Sequence, residues 1–561
     1  MNKITTIILS AMLISGLIAC DDDEITPNAS NTAKSPEEIA QENEDNKNNN
    51  DTPSDWKVVE SSSEHADDEF TVTIDASKTF QTIEGFGASD CWLGEYIGTN
   101  YSSKDKMAKL LFSQDTLSDG SVEGIGLSMW RVNLGAGSYE QGDESGITTA
   151  DRRAQSYLTS GQYDWSKCPG QQYFMQQAKK YGVEKMLMFS NSPIVSCTDN
   201  GQARSDKGAS ANITDEGYDK YAEYIAEVTK HFDSEGIHID YISPVNEPQY
   251  NWEGHDQEGS GWQNSEVARL VKSIDSKLGS QTTKIVVPEA GAWDYLYGGS
   301  NAGRSNQIDD FFGSGSDNYI GDLSHVAKVA CAHSYWIDRN WDQLHNVRTS
   351  AHTAAEGAGI GLWQTEWSML DEYGATEDYV GLADAKYMDN AIYLSKVIYA
   401  DMVYANCASW SYWTVWGQER WSQKNRFWLI KLGDNVADYA ECYNDITVDN
   451  PWADNPNLYV LGNYSRFVRP GYKRVELTTA TPETSLFASA YVSGDGNTLV
   501  VVYTNQTDKK MRVNPTITGF SGNTKFVRYV TTDTDKLART NFSDGNIVIP
   551  AKSVTTIVLS K

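Results

Sequence analysis

Asp240-Tyr241-Ile242-Ser243-Pro244-Val245-Asn246-Glu247-Pro248 is a short apolar run that ends on an amide and a carboxylate. It reads as a buried strand whose ladder stops at Pro248, which has no N–H to donate. A glutamate held at a strand end aims its carboxyl into open space. In a parallel α/β barrel, the C-terminal strand ends are where active sites form. Ile360-Gly361-Leu362-Trp363-Gln364-Thr365-Glu366-Trp367 repeats the pattern. The two runs lie about three βα units of roughly 40 residues apart, so strands four and seven of a closed barrel would present Glu247 and Glu366 across one pocket. Either glutamate alone is equally well explained as a helix cap or a salt-bridge partner. The pair, at matching strand ends, favours chemistry.

Around these runs, apolar strands and amphipathic helices alternate, the signature of a (β/α)8 TIM barrel. The eight candidate strands are 82–87, 126–132, 185–190, 237–245, 284–287, 328–333, 360–365 and 408–415. Tyr221, Tyr224, Ile225, Val228 and Phe232 form one helix face. Val267, Leu270, Val271, Ile274 and Leu278 form another, with Asn264 or Ser265 as its cap. Polar insertions at 135–163 and 371–383 follow strand ends and could wall a cleft. From residue 458 the pattern changes to strands alone, at 486–492, 498–503, 525–530 and 546–559, with Gly494-Asp495-Gly496-Asn497 as a hairpin turn. These predict a fused side β-sandwich. The predicted organisation is a signal peptide at 1–20, an acidic, Asn-rich tether at 21–65, a strand joining the side domain at 66–80, a barrel at 81–457 and the sandwich at 458–561.

A net charge of −31 argues against nucleic acid, whose phosphates call for Lys and Arg. The 17 Trp and 31 Tyr are flat, amphipathic rings that suit sugar faces, although barrel cores also consume them. Lys3 followed by the apolar run 4–14 is a secretory signal, too short to span a bilayer. Leu17-Ile18-Ala19-Cys20 resembles a bacterial lipobox, which would make Cys20 the acylated first residue of the mature chain. Asp21-Asp22-Asp23-Glu24 resembles the acidic surface-export signal of some Gram-negative polysaccharide degraders. The expected location is therefore the outer membrane, facing outward, with membrane contact only through the lipid. A monomer is expected. The other six cysteines show no CxxC or Cys/His ligand spacing, so neither metal nor cofactor is expected. Cys91, Cys331 and Cys407 lie in or beside apolar strands and read as buried thiols.

Two carboxylic acids flanking one linkage suffice to hydrolyse a glycoside: one protonates the leaving oxygen, the other attacks or activates water. Glu247 suits the first role and Glu366 the second, with Asn246 placed for a sugar hydroxyl. Other strand ends add Asp90, Arg131, Asn191, His333, Tyr335 and Trp413 as substrate-binding candidates. Arg131 could instead pair with Asp90 or another acid, and His333 could be a satisfied core histidine. Glu289 and Asp294 are competing carboxylates. The sharp turn expected after Pro288 makes Glu289 structural or peripheral.

The chain resembles glycoside hydrolase family 30. The resemblance rests on Ile83-Glu84-Gly85-Phe86-Gly87-Ala88, Trp130-Arg131-Val132, Asn246-Glu247-Pro248, His333-Ser334-Tyr335 and Thr365-Glu366. It also rests on Leu461-Gly462-Asn463-Tyr464-Ser465-Arg466-Phe467-Val468-Arg469-Pro470-Gly471. It implies a barrel with a side β-sandwich, retention of anomeric configuration, Glu247 as acid/base and Glu366 as nucleophile. Phe189-Ser190-Asn191-Ser192-Pro193 and 126–131 look most like the endo-β-1,6-galactanase branch, which implies arabinogalactan side chains as substrate. Ile194-Val195-Ser196-Cys197 departs from that branch and implies a different subsite wall. The alternatives are an exo-acting β-glycosidase, an endo-xylanase or β-1,6-glucanase of the same fold, and a non-catalytic carbohydrate-binding surface lipoprotein.

Overall fold

The computed structural model describes residues 58–299, 301–370, 385–418, 427–433, 451–522 and 525–561. The signal, Cys20, nearly all of the tether, Cys442 and the 371–383 insertion lie outside the described residues.

Eight strands close into a parallel barrel: β1 (Gly85–Ser89), β2 (Met129–Asn133), β3 (Lys185–Phe189), β4 (Tyr241–Ser243), β5 (Lys284–Ala290), β6 (Val326–His333), β7 (Gly361–Trp367) and β8 (Ser409–Tyr412). Each pairs with its sequence neighbours, and β8 returns to β1 through Ser409↔Gly85. Covered on both faces, these strands are runs of buried residues, such as Met186 to Phe189 in β3. All eight expected strands are present, with shifted ends. The fourth shrinks to Tyr241–Ser243, since Pro244 cannot continue the ladder.

Helices cover the barrel with the faces read from the sequence. Tyr221, Ile225, Val228 and Phe232 are buried in Gly217–Ser234, and Val267, Leu270, Val271 and Ile274 in Asn264–Leu278. The cap of the second helix differs from expectation. Gln263 precedes it, its N–H donating to Glu266 at 2.7 Å, while Asn264 is already helical and bonds Asp310.

The side domain is one ten-stranded sheet that curls until its two arms share a core containing Val72, Val475, Val501, Val513, Phe542 and Ile557. Four of its strands, Val58–Val59, Lys473–Thr479, Met511–Thr518 and Ala538–Phe542, are absent from the sequence reading. The expected strand 546–559 is two pieces. Val548–Ile549 pairs with Met511–Thr518, and after a turn through Pro550 and Lys552, Ser553–Ser560 pairs elsewhere. The N-terminal strand runs Asp68–Thr82 and stays in this sheet to its last residue, paired with Lys473, so only Ile83 and Glu84 connect it to β1. Val58–Val59 also joins the sheet, in territory expected to be tether.

The strands-only reading from 458 is corrected at its start. Pro456–Ser465 is a helix with Pro456 in its first turn and Asn455 as cap. It is buried nearly all round, so no amphipathic period marks it. Ser395, on the equally buried helix Tyr387–Val403, bonds both Tyr464 and Thr504, tying barrel helix, linking helix and side sheet together. No described helix is long and apolar enough to cross a membrane.

Candidate active site

Glu247 and Glu366 stand at the C-terminal mouth of the barrel and line one cavity of about 710 Å³. Glu247 follows β4 with φ +44, a left-handed conformation that a non-glycine residue adopts only when its surroundings impose it. Its N–H donates to the Glu289 carbonyl at 2.9 Å, and its own carbonyl accepts from Tyr250 N–H and Trp252 Nε1. Glu366 sits inside β7, paired with His333 of β6.

Beneath the cavity is a buried charge cluster. Arg131 on β2 donates to Glu366 Oε2 at 2.8 Å and to Asn246 Oδ1 at 3.4 Å, with Glu289 Oε2 at 3.6 Å. His333 reaches Glu247 Oε1 from Nδ1 at 2.9 Å and Glu289 Oε2 from Nε2 at 3.0 Å. Tyr335 donates to Glu366 Oε1 at 3.0 Å, and Thr365 to Glu289 at 2.6 Å. Burial alone would lower the His333 pKa, but the charge of Glu366 and the bonds to Glu247 and Glu289 raise it to about 9. Burial pushes Glu366 above the ordinary carboxylate range, against the pull of His333 and Arg131. Burial pushes Glu289 the same way, but His333 and Arg131 outweigh it and hold its carboxyl below that range.

Glu247, His333 and Glu366 each offer one atom within 4.8 Å of the others, a spacing a metal ion could use. The donor set fits poorly. A protonated His333 donates from both nitrogens and has no lone pair left for an ion, and Arg131 already holds fixed positive charge against Glu366.

Of the residues expected to bind substrate, Asn191, Asn246, Tyr335 and Trp413 line the cavity. Arg131 and His333 do not; they bear on the two glutamates from below. Asp90 is withdrawn further, its carboxylate accepting from Asn133 N–H at 2.9 Å and Gln171 Nε2 at 2.7 Å, and burial lifts its pKa to about 7. Glu289 is structural as expected but not peripheral: it is fully buried in the middle of the cluster. Of the three tryptophans near β8, Trp410 is buried against Asp401, while Trp416 joins Trp413 on the cavity wall.

The rim is aromatic and was largely missed in the sequence. Trp92 meets Trp413 edge-on at 5.8 Å, and Tyr250 lies parallel to Trp336 with ring centres 6.0 Å apart. Trp252, Phe427 and Trp428 also face the cavity. The available signal was adjacency: Tyr250 and Trp252 follow Glu247 in its own loop, and Trp336 follows Tyr335. The 135–163 insertion supplies Asp151 and Arg152. It is pinned by Glu258, whose carboxylate accepts from Ala136 N–H, Ser138 N–H and Ser138 Oγ. The five described cysteines are all buried and unpaired.

Comparison with known proteins finds related chains. The model of O-glycosyl hydrolase family 30 matches residues 69–422. An endo-β-1,6-galactanase of Hypocrea rufa is 23% identical over 458 residues, covering 78% of this chain and 82% of the relative. A glucuronoxylanase of Bacillus subtilis strain 168 is 24% identical over 61% of this chain and 67% of its own. The crystal structure of a conserved exported protein from Bacteroides fragilis superposes with a TM-score of 0.79 at 27% identity, over 87% of this chain and 100% of that one.

Proposed function

The chain belongs to glycoside hydrolase family 30, and from that membership we propose a retaining enzyme that cuts within a polysaccharide, β-1,6-galactan above others. At the coarser level it is an O-glycosyl hydrolase with a polysaccharide substrate. The observation that carries the mechanism is that Glu247 and Glu366 offer oxygens within 4.8 Å of each other. Direct attack uses a separation near 5–5.5 Å, whereas an intervening water needs about 6.5–9.5 Å.

Three carboxyls face the two cations Arg131 and His333, so the cluster is neutral when one carboxyl keeps a proton. The retaining roles place that proton on Glu247 and need Glu366 as an anion; Arg131 and Tyr335 both aim donors at Glu366 and favour its anion against the upward push of burial. Glu247 then protonates the leaving oxygen while Glu366 attacks the anomeric carbon. In the second step Glu247 takes a proton from water, which releases the sugar with its configuration retained. Both glutamates, each with dedicated donors, argue against a binding protein, which needs neither.

The Hypocrea galactanase, matched over most of both chains, supports β-1,6-galactan. An exo-acting β-glycosidase, a xylanase or a β-1,6-glucanase is the competing reading within the fold. The test is the product profile on linear β-1,6-galactan, xylan and β-1,6-glucan, with early NMR of the products. Oligosaccharides from galactan that appear first as β-anomers are expected. An initial α-anomer overturns retention, and faster cleavage of xylan or glucan overturns the substrate. We further propose that Cys20 carries a lipid anchor at the cell surface, supported by the lipobox and by the exported description of the Bacteroides protein. Free solubility of the wild-type chain after fractionation without detergent would refute it.

A further inference from the structure

Gln249 is buried two residues beyond Glu247, yet only half of its amide is used. Its Oε1 accepts the Gly291 N–H at 3.1 Å, which decides how the amide faces, since a backbone donor needs an acceptor. Its backbone carbonyl is held by Arg304 at 2.5 Å. Its Nε2 is enclosed and has no hydrogen-bond partner among the described residues. Native buried donors left unpaired are uncommon and call for a reason. Gln249 does not line the cavity, so substrate is not that reason.

Gly291 shows where the donor looks. A Cβ placed there would stand 2.5 Å from Gln249 Nε2, 3.1 Å from Glu247 Oε1 and 3.2 Å from the Glu247 carboxyl carbon. The bare Cα of Gly291 therefore leaves one gap onto which both the unpaired donor and the carboxyl open. The other groups bearing on that carboxyl are His333, with Nδ1 at 2.9 Å, Glu289, Arg131 and Glu366 behind it, and the phenols of Tyr250, Tyr295 and Tyr335.

We propose that Gln249 is a positioning residue for Glu247, its Nε2–H engaging the carboxylate once the Glu247 proton has passed to the leaving oxygen, and that position 291 is glycine to keep that contact open. The inference rests on the acid/base reading of Glu247 above. The donor favours the ionised carboxyl over the protonated one, so it keeps Glu247 in the form that takes a proton from water in the second step.

Gln249→Met removes the donor at similar volume, and Gly291→Ala fills the gap and displaces the amide. The alkaline limb of kcat/KM on polysaccharide reports the acid, and the acidic limb of kcat on an aryl β-glycoside with a good leaving group reports the base. Both limbs should move upward by about one pH unit, the scale of a lost bond to a charged group. Limbs that overlay the wild type in a folded variant, whatever the loss of kcat, reduce Gln249 to a packing role and overturn the proposal. If Gln249→Met does not fold, Gly291→Ala decides. Glu247→Ala with added azide tests the reading underneath. A β-glycosyl azide product upholds Glu247 as acid/base, and its absence overturns that reading whatever the Gln249 limbs do.

Discussion

The floor and the rim of the cavity are built on opposite principles. The floor is Arg131, Glu289, His333 and Thr365, carried on barrel strands, with no exposed surface and every charge answered by another. Removing any one member strands a partner in a low-dielectric interior, so the geometry is over-determined. The rim is Trp92, Tyr250, Trp336 and Trp413, half-buried and joined mostly by ring contacts. Ring contacts are broad in direction and tolerate repacking. A rigid floor suits a bond that is always broken the same way. An adaptable rim suits a sugar chain whose linkage differs among relatives.

The sharpest way to break this contrast is at Glu366. Glu366→Gln keeps shape and most hydrogen bonds but removes the attacking charge, so turnover should fall by on the order of 10⁴-fold or more while the fold persists. Substantial turnover by the purified variant would take Glu366 out of the nucleophile role. The next effect is on stability, through His333. Its folded pKa of about 9 lies above the ordinary value near 6.5, so its stabilisation is complete below about pH 6.5 and is lost as pH rises through 9. The loss is on the order of 3 kcal/mol. The wild-type Tm should therefore drop between pH 6.5 and 9, and His333→Asn should flatten that slope while lowering Tm at pH 6. A wild-type Tm flat across this window would show that His333 is not held charged by the floor.

The same contrast explains what could be read from the sequence. Arg131, Glu247, His333 and Glu366 stand where an apolar strand run meets a polar side chain, so all four were legible, although Arg131 and Glu366 lie within their strands rather than at the ends. Strand-end position does not say which way the next residue turns. Asp90, one residue past β1, turns back toward Gln171, and Glu289, within β5, turns into the cluster despite Pro288 before it. Rim residues depend on loop paths, which carry no period; Trp336, with φ +63, takes a conformation nothing local announces. The helix Pro456–Ser465 escaped for a related reason, since burial on all sides erases the amphipathic stripe. The Arg466 and Arg469 motif was recognisable as a pattern, but not its work. Arg466 binds the carbonyls of Ser113, Gly124, Gln114 and Asp115, and Arg469 pairs with Glu184, stitching the chain after the barrel back onto its flank.

The smallest effect separates rim from floor most cleanly. Trp336 follows Tyr335, is half-buried and lies parallel to Tyr250, which comes from the Glu247 loop. If Glu247 protonates the leaving oxygen, these two rings stand on the leaving-group side of the cut. The positive φ of Trp336 costs a bulky residue about 1–2 kcal/mol that glycine would not bear. Trp336→Gly therefore relieves the backbone while removing the ring, and Tm should stay within a few degrees of wild type. The lost ring contact, ~1.4 kcal/mol, corresponds to about a tenfold fall in kcat/KM on polysaccharide. An aryl glycoside whose leaving group is not a sugar should lose much less, and the His333 stability slope between pH 6.5 and 9 should be unchanged. An equal loss on both substrates would place Trp336 on the other side of the cut. A flattened pH slope would mean that rim and floor are coupled, and the division drawn between them would fall.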